Sequence, residues 1–156
     1  MPGRHRGMSM LISQILRGKR PDVVVISPDA DIRSAVAQMV REHVGALVVI
    51  DGDQHLLGVI SEREIIHSLD LSGPDLMSAA VGNVMRTDGP VAALDDSVRS
   101  VMEAMTAARA RHVPVLAYGR PIGIVSIGDL VKSRLDETIR ENSVLQDIAR
   151  VHWMTS

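Results

Sequence analysis

Short β-branched runs alternate along this chain with segments whose apolar residues recur every three or four positions. Val23 to Ile26 reads as a strand ended by Ser27-Pro28, and Asp31 then stands as the N-cap of a helix to about Glu42. Ala35, Val36, Met39 and Val40 give that helix one apolar face. Leu47 to Ile50 and Leu56 to Ile60 read as strands around Asp51-Gly52-Asp53, a hairpin signal, and Ser61 caps a further helix to about Leu69. The same β-α-β-β-α order then returns. Val91 to Ala93, Ser97 to Ala108, Val113 to Leu116, Ile122 to Val125 and Ile127 onward fill the equivalent slots.

The residues repeat as well as the pattern. DADIRSAVAQMV from Asp29 matches DDSVRSVMEAMT from Asp95 at an offset of 66, aligning Arg33 with Arg99, Ser34 with Ser100 and Met39 with Met105. With one residue dropped in the turn, Gly58 falls on Gly123 and Ser61 on Ser126. The chain therefore divides into a first repeat over residues 11–72, a second over 79–138 and a C-terminal helical extension over 139–156. A Ser/Gly/Pro/Asp stretch at Ser72 to Asp75 joins the repeats. Neither repeat alone buries enough surface, so the two are expected to pack about a pseudo-twofold axis as one α/β unit. Leu135, Ile139, Val144, Leu145, Ile148 and Val151 continue the last helix among charged residues, either as a cap over the core or as a helix given to a dimer interface.

Composition narrows the function. The 156 residues are 46% hydrophobic and 23% charged, so the chain can bury a core. Only Tyr118 and Trp153 carry aromatic rings, and there is no Phe, so the core is expected to be aliphatic and base stacking in the manner of nucleic-acid binders is disfavoured. A formal charge of −2 lacks the basic excess that phosphate-backbone binding needs, although Arg4, Arg6, Arg17, Lys19 and Arg20 form a basic N-terminal flank. Without cysteine there is no disulfide, thiol nucleophile or zinc knuckle. With no cleavable leader and no membrane-length apolar run visible, cytoplasmic is the default location.

The chemistry concentrates where each third strand ends. G-V-I-S-E-R-E at Gly58 to Glu64 and G-I-V-S-I-G-D at Gly123 to Asp129 both run into a hydroxyl and, three residues later, a carboxylate. A serine at a helix start lies beside unpaired N–H groups and the positive end of the helix dipole, which suits a phosphate. A carboxylate one turn later can accept from vicinal hydroxyls, as on a ribose. The same spacing is also that of a capping box.

The duplicated βαββα pattern, the HVGALVVID and RHVPV stretches and the paired G-h-h-S-x-x-(D/E) turns (h apolar) resemble a stand-alone pair of CBS (cystathionine-β-synthase) domains, a Bateman module of bacterial type, over residues 11–138. The resemblance implies a non-catalytic regulatory or energy-sensing module that binds AMP, ADP, ATP, NAD(H) or S-adenosylmethionine in two crossed clefts, with AMP or NAD(H) foremost. It implies a homodimer and an effector protein as partners. In one cleft Ser61, Arg63 and Glu64 would meet Thr87, Arg111 and His112; in the other Ser126 and Asp129 would meet Lys19, Val23, Gly45 and Ala46.

Arg63 and Arg111, with His112 beside them, can oppose phosphate charge, whereas the second cleft has Gly128, Gly45 and Ala46 at the corresponding positions. The first cleft is therefore expected to take the more highly charged ligand. With so few rings, adenine would lie between aliphatic side chains and be read by backbone groups near Gly45–Ala46 and Arg111–Val113. Glu64 departs from the family's usual Asp by one methylene, which makes Asp129 the better ribose acceptor.

Other chemistries fit poorly. The turn before Ser126 is one residue too long for a G-x-S-x-G nucleophile elbow, and no histidine is duplicated with the serines to serve as their base. His43, His55 and His67, twelve residues apart, fall on a helix end, a turn and another helix, which is no metal-ligand pattern. The nine methionines read as core filling. A regulatory subunit acting on a separate enzyme or transporter, without essential ligand binding, is the alternative.

Overall fold

A computed structural model describes residues 10–19 and 22–155; Arg4, Arg6 and Arg20 of the N-terminal flank lie outside them. Two three-stranded sheets carry the fold. In the first, β1 (Val25–Ile26) runs parallel to β2 (Ala46–Ile50), which pairs antiparallel with β3 (Leu56–Ser61). The second repeats this order with β4 (Ala92–Ala93), β5 (His112–Ala117) and β6 (Arg120–Ser126). Short parallel strands can share a sheet because a helix makes each crossover, α2 (Ile32–Glu42) between β1 and β2 and α4 (Val98–Ala108) between β4 and β5.

The helix starts are those the sequence indicates. Asp31 accepts from the Ser34 N–H at 2.8 Å and Ser97 from the Ser100 N–H at 3.0 Å, each satisfying one orphan donor of its helix. Both helices end in a left-handed residue, His43 at φ 55° and Arg109 at φ 53°. The hairpins differ more than the sequence suggests. Tyr118 and Gly119 alone, both at positive φ, close the β5–β6 hairpin. The β2–β3 loop is longer: Asp51 accepts from the N–H groups of Asp53 and His55, and Gln54 rather than Gly52 takes the positive φ.

Each sheet has its own aliphatic core. Ile26, Ile32, Ala35, Met39, Leu47, Val49, Ile60 and Ile65 form the first; Ala92, Val98, Val101, Met105, Val113, Val115, Val125 and Leu130 form the second. What closes each core comes from the other end of the repeat pattern. Helix α1 (Ile12–Arg17) buries Ile12 in the second core, and its lead-in pairs with the start of α4 through Ile12 N–H to Asp96 C=O and Val98 N–H to Met10 C=O. Equivalently, residues 79–81 pair with the start of α2 through Ile32 N–H to Ala79 C=O and Val81 N–H to Ala30 C=O, and Leu76 and Val81 are buried in the first core.

Two segments thus tie the repeats together across their boundary. The joining stretch Ser72 to Asp75 is itself structured: Ser72 ends α3 (Glu62–Ser72), and the 3-10 segment Gly73–Ser78 that follows carries Leu76 into the core. Residues 11–17, counted with the first repeat, pack on the second.

The last helix, α5 (Ile127–Thr155), runs unbroken through the 138/139 boundary. Leu130 and Ser133 are buried, but residues 138–154 are exposed throughout, so the distal half does not cap the core. Among the described residues no helix is long and apolar enough to cross a membrane.

Candidate functional site

Two equivalent turns place the duplicated serines. Strand β3 delivers Ser61 to the first turn of α3, and β6 delivers Ser126 to that of α5. Glu64 accepts from both the N–H (2.9 Å) and the hydroxyl of Ser61. Asp129 accepts from the Ser126 N–H at 2.8 Å while its own N–H donates to Ser126 Oγ at 3.1 Å. Both motifs thus form the capping bonds that their spacing allows. They also aim hydroxyl, carboxylate and helix N-terminus at one spot.

The first such spot opens into a cavity of about 830 Å³. Its wall holds Ser61, Arg63 and Glu64 from the first repeat and Thr87, Arg111 and His112 from the second, so all six first-cleft residues come together. Four arginines (Arg63, Arg86, Arg109, Arg111) face three carboxylates (Glu62, Glu64, Asp70) around it, and Leu56, Leu57, Ile66, Pro90, Val91 and Pro114 supply the apolar lining. Two of the arginines are held to the end of α4: Arg63 donates to Arg109 C=O at 3.1 Å, and Arg86 donates to Ala108 C=O at 2.8 Å and to Asp88 at 3.0 Å.

Arg86 and Arg109 are absent from the sequence-based set. Arg109 stands beside Arg111 just ahead of β5 and could have been read from that spacing. Arg86 had no such signal, because its position depends on residues 85–87 running alongside β3, with reciprocal Val59–Arg86 backbone bonds of 2.9 Å.

His112 is not a phosphate-opposing charge at neutral pH. Burial pushes its pKa down, and this outweighs the opposing pull of Glu62; Lys19 pushes the same way as burial, Glu64 and Asp129 against it. The imidazole is therefore a neutral hydrogen-bonding group at the seam of the two clefts. Gly45 lies at the same seam, where an added Cβ would stand 3.4 Å from both His112 Nε2 and Glu62 Cδ. Ala46 is buried and pairs with Ser61 across β2 and β3, and Val23 is half-buried two residues ahead of β1.

The second spot is occupied by the protein itself. Lys19 Nζ lies 2.5 Å from Asp129 Oδ2 and donates to Ile124 C=O at 2.8 Å. Burial pushes the Asp129 carboxyl up, but the bonds from Lys19 and Ser126 together outweigh it and hold the group below the usual aspartate value. Elsewhere, among the described residues, Asp51, Asp53 and His55 bring potential metal-ligand atoms within 4.8 Å of one another, in the loop that Asp51 already closes.

Comparison with known proteins agrees with this geometry. The CBS domain family model matches twice, over residues 12–71 and 81–136. A crystal structure of a CBS-domain containing protein from Agrobacterium tumefaciens is 34% identical, with 85% of this chain and 98% of that one covered and a TM-score of 0.77. A mitochondrial CBS domain-containing protein of Arabidopsis thaliana is 32% identical over 137 residues, 83% of this chain and 66% of the plant protein. A CBS domain protein of Pyrobaculum aerophilum, solved in complex with AMP, is 25% identical with a TM-score of 0.68, covering 77% of this chain and 89% of that one. With a doubled family match, two equivalent sheets and two equivalent serine turns, the chain belongs to the CBS domain family as a tandem pair of such domains.

Proposed function

We propose that this chain is a non-catalytic regulatory module that binds an adenosine nucleotide between its repeats, with the first cleft taking the more highly charged ligand. The observation that carries the reading is the 830 Å³ cavity in which a serine, a carboxylate and a helix N-terminus of one repeat face Thr87, Arg111 and His112 of the other. Its size suits a nucleotide, since small-molecule sites span roughly 300–1,000 Å³. Four arginines against three carboxylates favour an anionic ligand, and arginine forks suit phosphate oxygens. Leu57, Ile66 and Pro114 can flank a base where no aromatic ring is present. The AMP-bound relative from Pyrobaculum aerophilum supports AMP as the first ligand to test, with ADP, ATP, NAD(H) and S-adenosylmethionine beside it. A catalytic role is not supported, because both serines are tied into capping bonds with their own carboxylate residue.

Ligand binding becomes regulation when the ligand prefers one of two module shapes. The exposed distal half of α5, with Ile139, Leu145 and Ile148 outward, supports a homodimer or a docked effector as the receiver of that signal.

Denaturing protein purified without added nucleotide and analysing the supernatant by mass spectrometry should release an adenosine compound. In a thermal-shift panel, a cognate ligand at a hundredfold its Kd should stabilise the fold by about 2.7 kcal/mol, and Arg111→Ala should reduce the preference for ATP over adenosine. If no adenosine compound is released and none shifts the melting point, the ligand reading fails and an interaction module without essential ligand replaces it.

A further inference from the structure

We propose that Lys19 is an internal competitor for the second cleft: its ammonium holds Asp129, the carboxylate that would take ribose hydroxyls, and so keeps that cleft closed to an uncharged nucleoside. This rests on the adenosine reading of the clefts. The lysine arrives from the segment between α1 and β1, 110 residues from its partner. Its Nζ is held twice, by Asp129 Oδ2 at 2.5 Å and by Ile124 C=O at 2.8 Å. The same Oδ2 also accepts from the Ser126 N–H. Both side chains are less than a third exposed, so water screens the pair only in part.

The chemistry makes the contest unequal. A ribose hydroxyl gives Asp129 a hydrogen bond in which only the acceptor is charged, whereas the ammonium adds the attraction of an opposite full charge. A ribose that displaced Lys19 would also leave a partly buried ammonium without its carboxylate. Among the described residues the first cleft has no such plug. Glu64 is held by Ser61 alone among the bonds seen there, and Arg86, which enters from the corresponding segment before β4, turns to Asp88 and Ala108 C=O instead. The duplicated fold thus carries one open and one self-occupied copy of the same recognition turn.

Adenosine is the probe that isolates this effect, because it has no phosphate whose contact with Lys19 would be lost on mutation. Methyl NMR titrations follow Leu57 and Ile66 for the first cleft and Ile124 for the second, in the wild type, Lys19→Met and Lys19→Gln. The Asp129 carboxyl carbon is titrated with pH in the same samples. Both variants should bind adenosine at least tenfold more tightly at the second cleft, with first-cleft affinity unchanged and the Asp129 midpoint raised.

An Asp129 midpoint that does not move overturns the inference without reference to any ligand, since the ion pair is then not formed in solution. A raised midpoint with first-cleft binding intact and second-cleft affinity unchanged or weaker also overturns it, and makes Lys19 a structural tie or a ligand contact. Adenosine perturbing neither cleft in any of the three proteins, together with no response to AMP or ATP, overturns the ligand reading and this inference with it.

Discussion

His112 stands where the charges of both clefts meet, sensing Glu62 and Glu64 from one side and Lys19 and Asp129 from the other. Its depressed pKa makes the folded state resist a proton that the unfolded chain accepts readily below the ordinary histidine value of 6.5. The stability that a neutral His112 contributes is therefore complete above pH 6.5 and is lost as pH falls from there toward the folded value. The loss is at most about 1.4 kcal/mol per pH unit. His112→Gln should flatten the pH dependence of stability between pH 7 and 5 in urea unfolding; an unchanged slope would show that the imidazole is not protonated there on unfolding. Asp129 acts in a separate window: its lowered pKa adds stability present above the ordinary aspartate value of 3.8 and lost only as pH falls below it. Its residue type and position could be read from the S-x-x-D turn, but its partner could not. Lys19 is 110 residues away, and no local pattern announces that pairing.

At the scale of elements, the duplicated glycines of β3 and β6 mark where the incoming segments pass. A Cβ on Gly58 would stand 2.6 Å from Arg86 C=O, and one on Gly123 would stand 2.8 Å from Leu16 Cδ2. The first neighbour is backbone and cannot yield without moving the segment that carries Arg86 into the cavity. Gly58→Ala should cost about 1–3 kcal/mol in chemical denaturation, as overpacking does. Gly52→Ala, at an open loop position with no atom within 4 Å of the added Cβ, should stay within about 0.5 kcal/mol. The glycine pair was visible in the sequence as part of the repeat, yet its purpose was not: the motif suggests a ligand turn, and the structure shows a close approach, by the Arg86 backbone at Gly58 and by the Leu16 side chain at Gly123. Helices α2 and α4 were legible almost to the residue because Asp31 and Ser97 announce them by local chemistry. Helix α1 is only six residues long and takes its stability from burying Ile12 in a distant core, so periodicity could not announce it.

At the scale of the whole molecule, the two cores are separate but neither is closed by its own repeat. Removing residues 10–17 would uncover the second core, and displacing 76–81 would uncover the first. The module should therefore unfold in a single transition, with calorimetric and van't Hoff enthalpies equal. Two resolved transitions assignable to residues 11–72 and 79–138 would show that the exchanged segments do not couple the halves. The pseudo-twofold arrangement was legible because both copies preserve the order of elements, whereas the exchange was hidden by connectors that carry no shared motif. A chain encoding one repeat would present an uncovered core and a lead-in segment fitted to a sister copy, so two such chains would complete each other by swapping arms. The present protein has the geometry of that swapped pair within one chain, with one serine turn facing the cavity and the other paired with Lys19.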